Sequence, residues 1–196
     1  MSEKKSNKRV GRPRSTEAQK AILDATWKLL KTMTVKDLSI EAIAREAGVG
    51  KTTIYRWWPT KAAVVIDAFM AKIVPENTPS KARSAKTALE KQIIALIKTF
   101  NGESGHIVAQ IIAEGQSDGQ ALKMFRDRFL LGFRDATKTI IEQGIKTGEF
   151  DQKLDPELST DILHGSLYYR LLIGHLPIDE DFAKKLPEQA LKCFQI

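Results

Sequence analysis

An all-α fold is predicted by two features of the sequence. Apolar residues recur at helical spacing through most of the 196 residues, and stretches rich in Gly, Pro, Ser or Asp separate one periodic segment from the next. No convincing period-2 strand pattern is present. With 42% hydrophobic and 28% charged residues, the chain has the composition of an ordinary globular protein that buries its own core.

The first elements follow from local signals. Residues 1–14 are polar and basic and have no apolar stripe, so we expect a disordered arm. The letters TEAQ at 16–19 form a T-x-x-Q capping box, which predicts a first helix from there to about Lys31. A second helix should begin after the N-cap Ser39 and end at Gly48.

The remaining elements are also predicted to be helical. A short third helix covers Lys51–Trp57, and Thr60 caps a fourth helix that runs from Lys61 to about Val74. The letters PENTPS at 75–80 are typical of a linker. Five more helices are predicted near residues 82–100, 106–114, 119–147, 156–174 and 180–194.

The positive charge is concentrated in the first third of the chain. Residues 1–61 carry 14 Lys/Arg against 6 Asp/Glu, whereas residues 62–196 carry 17 against 18. This asymmetry favours a polyanion-binding head attached to a module with a different task. A merely solubilising tail is the other interpretation, but the excess continues past the tail into patterned sequence.

Several classes of protein are disfavoured by composition. The apolar runs are short and broken by charges, so we expect no membrane-spanning segment. The basic N-terminus lacks an apolar region, so we do not expect a secretory signal. The single cysteine, Cys193, excludes an internal disulfide, so we expect a cytoplasmic protein. The histidines at 106, 164 and 175 lack the spacing of a metal site, and we expect neither a metal nor another cofactor.

The stretch GVGKTT at 48–53 resembles the tail of a phosphate-binding loop. The full pattern requires a first glycine at position 45, which is Arg45, and a buried strand before the loop. The preceding letters SIEAIAREA instead form a capped amphipathic helix. A nucleotide-binding loop at Gly48–Thr53 is therefore a weak alternative.

The same residues fit a helix-turn-helix, in which two short helices are joined by a tight glycine turn. Ile54 and Trp58 lie four residues apart and should face inward. The opposite face should present Lys, Thr, Tyr and Arg at the start of the second helix. Lys and Arg donate to guanine in the DNA major groove, Thr contacts the thymine methyl, and hydroxyls and the helix N-terminus hold phosphates.

The segment SIEAIAREAGVGKTTIYRWWPTKAAVVIDA resembles the helix-turn-helix of the TetR family of bacterial transcriptional regulators. The similarity covers about residues 16–70 and includes A-x-x-A-G-V at the turn and T-I-Y in the third helix. It implies that Lys51, Thr52 and Arg56 read bases. It implies phosphate contacts by Ser39, Thr53, Tyr55 and Lys61.

Two positions depart from the family pattern. Thr34-Val35 stands where the family often has glycine followed by an aromatic residue, so we expect a different turn at this point. Thr52 stands where a smaller residue is common, so we expect an altered base preference.

The basic arm carries the letters KRVGRPR at 8–14, and G-R-P-R is common before the first helix of TetR proteins. An extended arm with arginines fits the narrow, electronegative minor groove of A·T-rich DNA. We therefore expect Arg9, Arg12 and Arg14 to enter the minor groove. The alternative is a solvated tail without a DNA contact.

The second half of the chain is expected to bind an unknown small-molecule effector, as the family resemblance implies. Phe125, Phe129 and Phe133 share a ridge, which indicates either an ordinary core or the wall of a cavity. The candidates for lining the cavity are Phe100, His106, Gln110, Met124, Phe125, Phe129, Phe133, His164 and Tyr168.

The resemblance also implies a homodimer formed through the helices near 156–174 and 180–194. A two-fold dimer that reads two half-sites of double-stranded DNA agrees with the short reach of one helix. The alternative is a monomer in which both helices pack internally. The implied organisation is an arm (1–14), a helix-turn-helix domain with a connecting helix (15–74), a linker (75–80) and an effector-binding and dimerisation domain (81–196).

One enzyme motif remains to be weighed. The letters GQSDG at 115–119 match G-x-S-x-G, the nucleophile elbow of α/β-hydrolases. That fold needs a many-stranded sheet, and the residues after Gly119 are predicted to be helical. The motif is better explained as a connection between helices, and we expect a ligand-responsive repressor rather than a small hydrolase.

Overall fold

The computed structural model describes residues 13–73 and 82–194, with side chains from Thr16 onward. Within these residues the chain is helical and contains no strand, so the all-α prediction is confirmed. A π-helical turn, Arg126–Leu130, lies between the helices Gly119–Phe125 and Leu131–Thr147. The helices are α1 (Pro13–Leu30), α2 (Ile40–Ala47), α3 (Lys51–Tyr55), α4 (Lys61–Ile73), α5 (Ala85–Thr99), α6 (Glu103–Ser117), α7 (Gly119–Phe125), α8 (Leu131–Thr147), α9 (Pro156–Ile173) and α10 (Glu180–Phe194).

The predicted caps of the helix-turn-helix are confirmed. Ser39 Oγ accepts a hydrogen bond from the Ala42 amide at 3.2 Å, and Gly48 ends α2 in the left-handed region at φ 66°. Glycine reaches this region without the steric cost that a Cβ imposes, so the turn into α3 is tight. Thr60 Oγ1 accepts from the Ala63 amide at 3.2 Å and starts α4.

Two predicted helix starts were wrong. Helix α1 begins at Pro13 rather than Thr16, because proline is well suited to a first helical turn, and the TEAQ letters lie inside the helix. Helix α6 extends from Glu103 to Ser117 and absorbs two glycines that were expected in its flanking turns. A Cβ on Gly105 would lie 2.0 Å from the Phe100 carbonyl oxygen, so this glycine permits close packing instead of a break.

Helix α4 connects the two halves of the chain. It packs on α1 in the helix-turn-helix and on α6 and α7 in the C-terminal half. Val64, Val65, Ile66 and Phe69 are completely buried and belong to one continuous hydrophobic cluster that extends from α1 to α10. The head that carries α3 is therefore packed directly on the C-terminal domain.

The C-terminal helices form a bundle around α5, α8 and α9. Helix α5 packs on α8 and α10, α8 packs on α9, and α6 packs on α7 and α9. Asp155 caps α9 through the Glu157 and Leu158 amides, with Pro156 at the first helical position, as predicted. The predicted linker at 75–80 lies outside the described residues.

Candidate DNA-binding surface and effector core

The third helix presents two contrasting faces. Ile54 is fully buried and Trp58 is 2% exposed, which confirms the predicted inward ridge. Lys51, Thr52 and Arg56 are exposed on the outside, as is Tyr55. The three candidate base-reading residues therefore share an open, basic and hydroxyl-bearing surface of the kind that suits a DNA major groove.

Lys51 is held by an ion pair across the turn. Its Nζ lies 2.9 Å from Glu41 Oε1, at the start of α2. The hydrogen bond with Glu41 raises the pKa of Lys51 and lowers the pKa of the Glu41 carboxyl. Both side chains remain solvent-exposed, so the pair orients the ammonium without removing it from water.

The four candidate phosphate contacts differ in how far they are already engaged. Tyr55 is 51% exposed and Thr53 is half-buried. Ser39 Oγ caps α2 but keeps its own proton for donation. Lys61 Nζ donates to the carbonyl oxygens of Val35 (2.7 Å) and Lys36 (3.1 Å), a role within the fold that the sequence did not predict.

The candidate arm residues occupy the start of the chain. Arg9 and Arg12 lie outside the described residues. Arg14 lies in the first turn of α1, so the helix takes up the last two positions of the predicted arm.

Three hydrogen bonds that sequence reasoning missed lie at the junction of the head and the C-terminal domain, and two of them join the two parts. Asp67 Oδ2 accepts from Trp58 Nε1 at 2.8 Å, and its Oδ1 accepts from Arg128 Nη1 at 2.7 Å. Gln110 Oε1 accepts from the Val35 amide at 2.6 Å. These contacts link the segment just after α3 to the π-helical turn and link α6 to the turn before α2.

Five of the candidate effector residues come together in an aromatic cluster, which we define as Phe69, Phe100, Phe125, Phe129, Phe133 and Tyr168. Its rings form a chain of contacts with centroid separations between 4.8 and 6.0 Å. Phe129 lies at the centre and is 1% exposed. Phe69 of α4 was not predicted, because α4 had been assigned only to the connection between domains.

The other candidate effector residues take different positions. Met124 is half-buried against the hydrophobic core. His106 is exposed and, with Phe100, lines an open groove of about 280 Å³ between the α5–α6 turn and the α9–α10 loop. Gln110 lies at the domain junction and is bonded to Val35 there.

His164 is buried next to the aromatic cluster. Its Nε2 lies 3.0 Å from Thr137 Oγ1, and its Nδ1 has no hydrogen-bond partner. Burial, assisted by the charge of Arg134, lowers the pKa of His164 to about 4, so the ring is neutral at about pH 7. Burial also raises the pKa of the Tyr168 phenol, which keeps its proton.

Helix α9 carries an exposed apolar stripe. Its members are between 47% and 61% exposed: Leu158, Ile162, Tyr169, Leu172, Ile173 and, just beyond the helix, Leu176. Gly165 lies within this stripe, and a Cβ there would touch nothing within 4 Å. The outer face of α10 is polar by contrast, with Lys185, Glu188 and Lys192 exposed.

The structural context of the two enzyme-like motifs is helical. Asp118 caps α7 through the Gln120 (3.0 Å) and Ala121 (3.2 Å) amides, so GQSDG connects two helices. GVGKTT follows a helix rather than a strand. The described residues contain no helix long and apolar enough to cross a membrane and no group of three potential metal ligands.

Comparison with known families agrees with this architecture. The family described as "Bacterial regulatory proteins, tetR family" matches residues 22–68, and "Tetracyclin repressor-like, C-terminal domain" matches residues 81–190. The chain belongs to the TetR family of helix-turn-helix transcriptional regulators. The resemblance stated from the helix-turn-helix letters is thus confirmed, and the hydrolase alternative has no support.

Relatives of this TetR-family protein span nearly its whole length. An uncharacterized HTH-type transcriptional regulator of Bacillus subtilis strain 168, YdeS, is 32% identical over 185 residues, covering 94% of this chain and 93% of the relative. The crystal structure of the TetR family regulator SCO0332 has a TM-score of 0.74 at 26% identity and covers 90% of this chain and 97% of that one. FadR from B. subtilis, solved with stearoyl-CoA, shares the fold (TM-score 0.70, 20% identity, 88% and 97% covered).

Proposed function

We propose that this TetR-family protein is a repressor that binds a pseudo-palindromic operator as a homodimer and leaves it when a small apolar effector binds. The observation that carries the proposal is the position of α3. Its exposed face bears the reading residues, while its buried face shares one hydrophobic core with the aromatic cluster. A change in the packing of that cluster therefore reaches the reading helix through contiguous contacts.

Base reading is assigned to Lys51, Thr52 and Arg56. Selection of bound DNA from a random library should return an operator with two related half-sites. Arg56→Ala should weaken operator binding by roughly 1–3 kcal/mol and relax the preference at one position of each half-site. The matched control is Arg45→Ala, which removes the same charge from α2. If Arg56→Ala, like Arg45→Ala, weakened binding to all DNA sequences by the same amount, the reading role of Arg56 would be contradicted.

Phosphate contacts are assigned to Ser39, Thr53, Tyr55 and Lys61, and minor-groove contacts to Arg9, Arg12 and Arg14. Deletion of residues 2–14 should lower operator affinity. It should also make the salt dependence of binding shallower, because a protein that makes fewer contacts with phosphates releases fewer counterions when it binds. Affinity and salt slope equal to those of the full chain would contradict the assignment of the arm.

Dimerisation is assigned to the exposed stripe of α9. Contiguous apolar residues at such exposure are typical of an interface, and Gly165 allows two helices to approach closely. Ile162→Asp should give a monomer in sedimentation and lose operator binding, since one head reads only a half-site. Thr139→Asp, at an exposed position on α8, should leave the dimer intact. A dimeric Ile162→Asp protein would contradict this interface.

The effector site is assigned to the aromatic cluster. Five of its six rings are those of phenylalanine, so the cluster offers a largely apolar environment, and the related fold of B. subtilis FadR was solved with stearoyl-CoA, a molecule with a long apolar chain. Release of the operator complex during titration with a panel of apolar compounds tests the site. An effector shifts the equilibrium only by its difference in affinity for the two conformations, so Phe129→Ala should change the concentration needed for release. Release that is insensitive to this substitution would contradict the assignment.

The path of coupling is assigned to α4 and its polar contacts. Asp67 binds both Trp58, three residues after the end of α3, and Arg128, in the π-helical turn that carries Phe129. An effector that moves Phe129 therefore acts on the segment that holds Arg128. Arg128→Gln should alter effector-driven release more than it alters operator affinity without effector.

A further inference from the structure

A buried hydrogen-bond acceptor in the effector domain has no donor. Among the described side chains, those of residues 16–73 and 82–194, His164 Nδ1 is the one enclosed polar atom without a hydrogen-bond partner, and the residue is 2% exposed. Burial of a polar atom without a partner costs free energy, and native proteins pair nearly all such atoms. An atom of this kind is a candidate contact for a molecule that the folded chain alone does not contain.

The protonation state of the ring follows from Thr137. The Thr137 hydroxyl lies 3.1 Å from the Phe133 carbonyl oxygen, which only accepts, so the single hydroxyl proton is donated there. Thr137 Oγ1 then accepts from His164 Nε2–H at 3.0 Å. A neutral imidazole has one N–H, so Nδ1 carries no proton and is an acceptor. The lowered pKa of His164 agrees with a neutral ring.

The surroundings define the rest of the ligand. Tyr168 follows His164 by one helical turn and packs on Phe100 with ring centroids 5.6 Å apart. Phe100 and Leu171 line the open groove between the α5–α6 turn and the α9–α10 loop. His164, Tyr168 and Leu171 share one face of α9, and seven residues of helix span about 10 Å. A molecule entering past Phe100 thus needs an apolar body of about this length to reach Nδ1.

We propose that His164 Nδ1 accepts a hydrogen bond from the O–H or N–H group of a neutral effector whose apolar body, about 10 Å long, lies against the aromatic cluster. The inference rests on the proposed ligand-responsive function and narrows its chemistry. Phenols, alcohols and amides with an N–H satisfy the acceptor. Ethers and ionised carboxylates, which offer no proton, do not.

The test compares para-butylphenol with para-butylanisole, which differ by replacement of the phenolic proton with a methyl group. Calorimetry on the full-length protein should show that the phenol binds roughly tenfold more tightly than the ether. A tenfold ratio of dissociation constants corresponds to the free energy of about one hydrogen bond. Nitrogen NMR of isotope-labelled histidine should show His164 protonated on Nε2, with the Nδ1 resonance shifted by the phenol only.

Two variants separate a ligand contact from a structural role. Thr137→Val removes the acceptor that sets the tautomer and should reduce the preference for the phenol. Thr160→Val is the matched control, because Thr160 is also buried and its hydroxyl donates to the carbonyl four residues earlier, at Pro156 (2.7 Å), rather than bonding to the ring of His164. Thr160→Val should keep the preference.

Four results would overturn the inference: no binding of either probe, equal binding of both, a proton on Nδ1, or an unchanged preference in Thr137→Val. Operator binding is measured separately by selection from the random library. A protein that binds a selected operator but ignores the hydroxyl proton refutes the role of His164 while leaving the regulator intact. A protein that selects no operator refutes the proposed function instead.

Discussion

Asp67 should stabilise the protein mainly through its hydrogen bond with Trp58. Trp58 is 2% exposed, and its Nε1–H donates to Asp67 at 2.8 Å. Asp67→Leu leaves this buried donor without an acceptor, which costs roughly 1–3 kcal/mol. The contact of Asp67 with Arg128 joins side chains that are 32% and 45% exposed, so its loss adds less than about 1 kcal/mol. We therefore expect Asp67→Leu to lower the free energy of unfolding by about 2–3 kcal/mol.

Asp67→Asn separates the two contributions. The asparagine carbonyl still accepts from the indole, while the charge that attracts Arg128 is lost, so we expect a loss of about 1 kcal/mol. Arg128→Gln should cost a similar amount or less. Urea unfolding at one fixed protein concentration measures all three variants, because the proposed dimerisation makes apparent stability depend on concentration. Equal losses for Asp67→Leu and Asp67→Asn would refute the reasoning, since the ion pair rather than the indole bond would then dominate.

Three further predictions concern pH, packing and capping. His164 has a pKa of about 4 in the folded state against 6.5 unfolded, so the unfolded chain binds more protons between these two pH values. As the pH drops from 6.5 to about 4, the free energy of unfolding of the wild type should therefore fall by about 3 kcal/mol relative to that of His164→Phe. Urea titrations of both proteins in parallel measure this difference. Gly144→Ala, whose Cβ would lie 2.2 Å from Phe150 Cδ2, should cost roughly 1–3 kcal/mol, whereas Gly132→Ala on the exposed side of the same helix should be neutral or stabilising in thermal unfolding. Ser39→Ala should cost about 1 kcal/mol in chemical unfolding, and no loss would contradict its role as a cap.

The sequence alone determined the helix order, the caps at Ser39, Thr60 and Asp155, and the inward positions of Ile54 and Trp58. Each of these features depends on interactions between residues that are close in the chain. The spacing of apolar residues and the residue types at helix ends are therefore sufficient to predict them. The same local reasoning located the helix-turn-helix and separated it from a phosphate-binding loop.

Glycines show where local reasoning fails. Gly105 and Gly115 were expected in the turns on either side of a helix at 106–114, but both lie within α6, where they allow the Phe100 carbonyl and the Leu122 side chain to approach closely. The sequence does not distinguish a glycine that ends a helix from a glycine that lets another part of the chain pack closely against a helix. Only the position of the neighbouring chain distinguishes them.

The tertiary structure alone decided which polar side chains meet. Gln110 reaches the amide of Val35 across 75 positions, and Arg128 reaches Asp67 across 61. Thr137 Oγ1 lies 3.0 Å from His164 Nε2, which belongs to a different helix. Such pairs depend on how helices pack, because side chains far apart in the chain have no common periodic pattern. The sequence thus determined which side chains α3 exposes, while the packing decided how that helix is connected to the buried aromatic cluster.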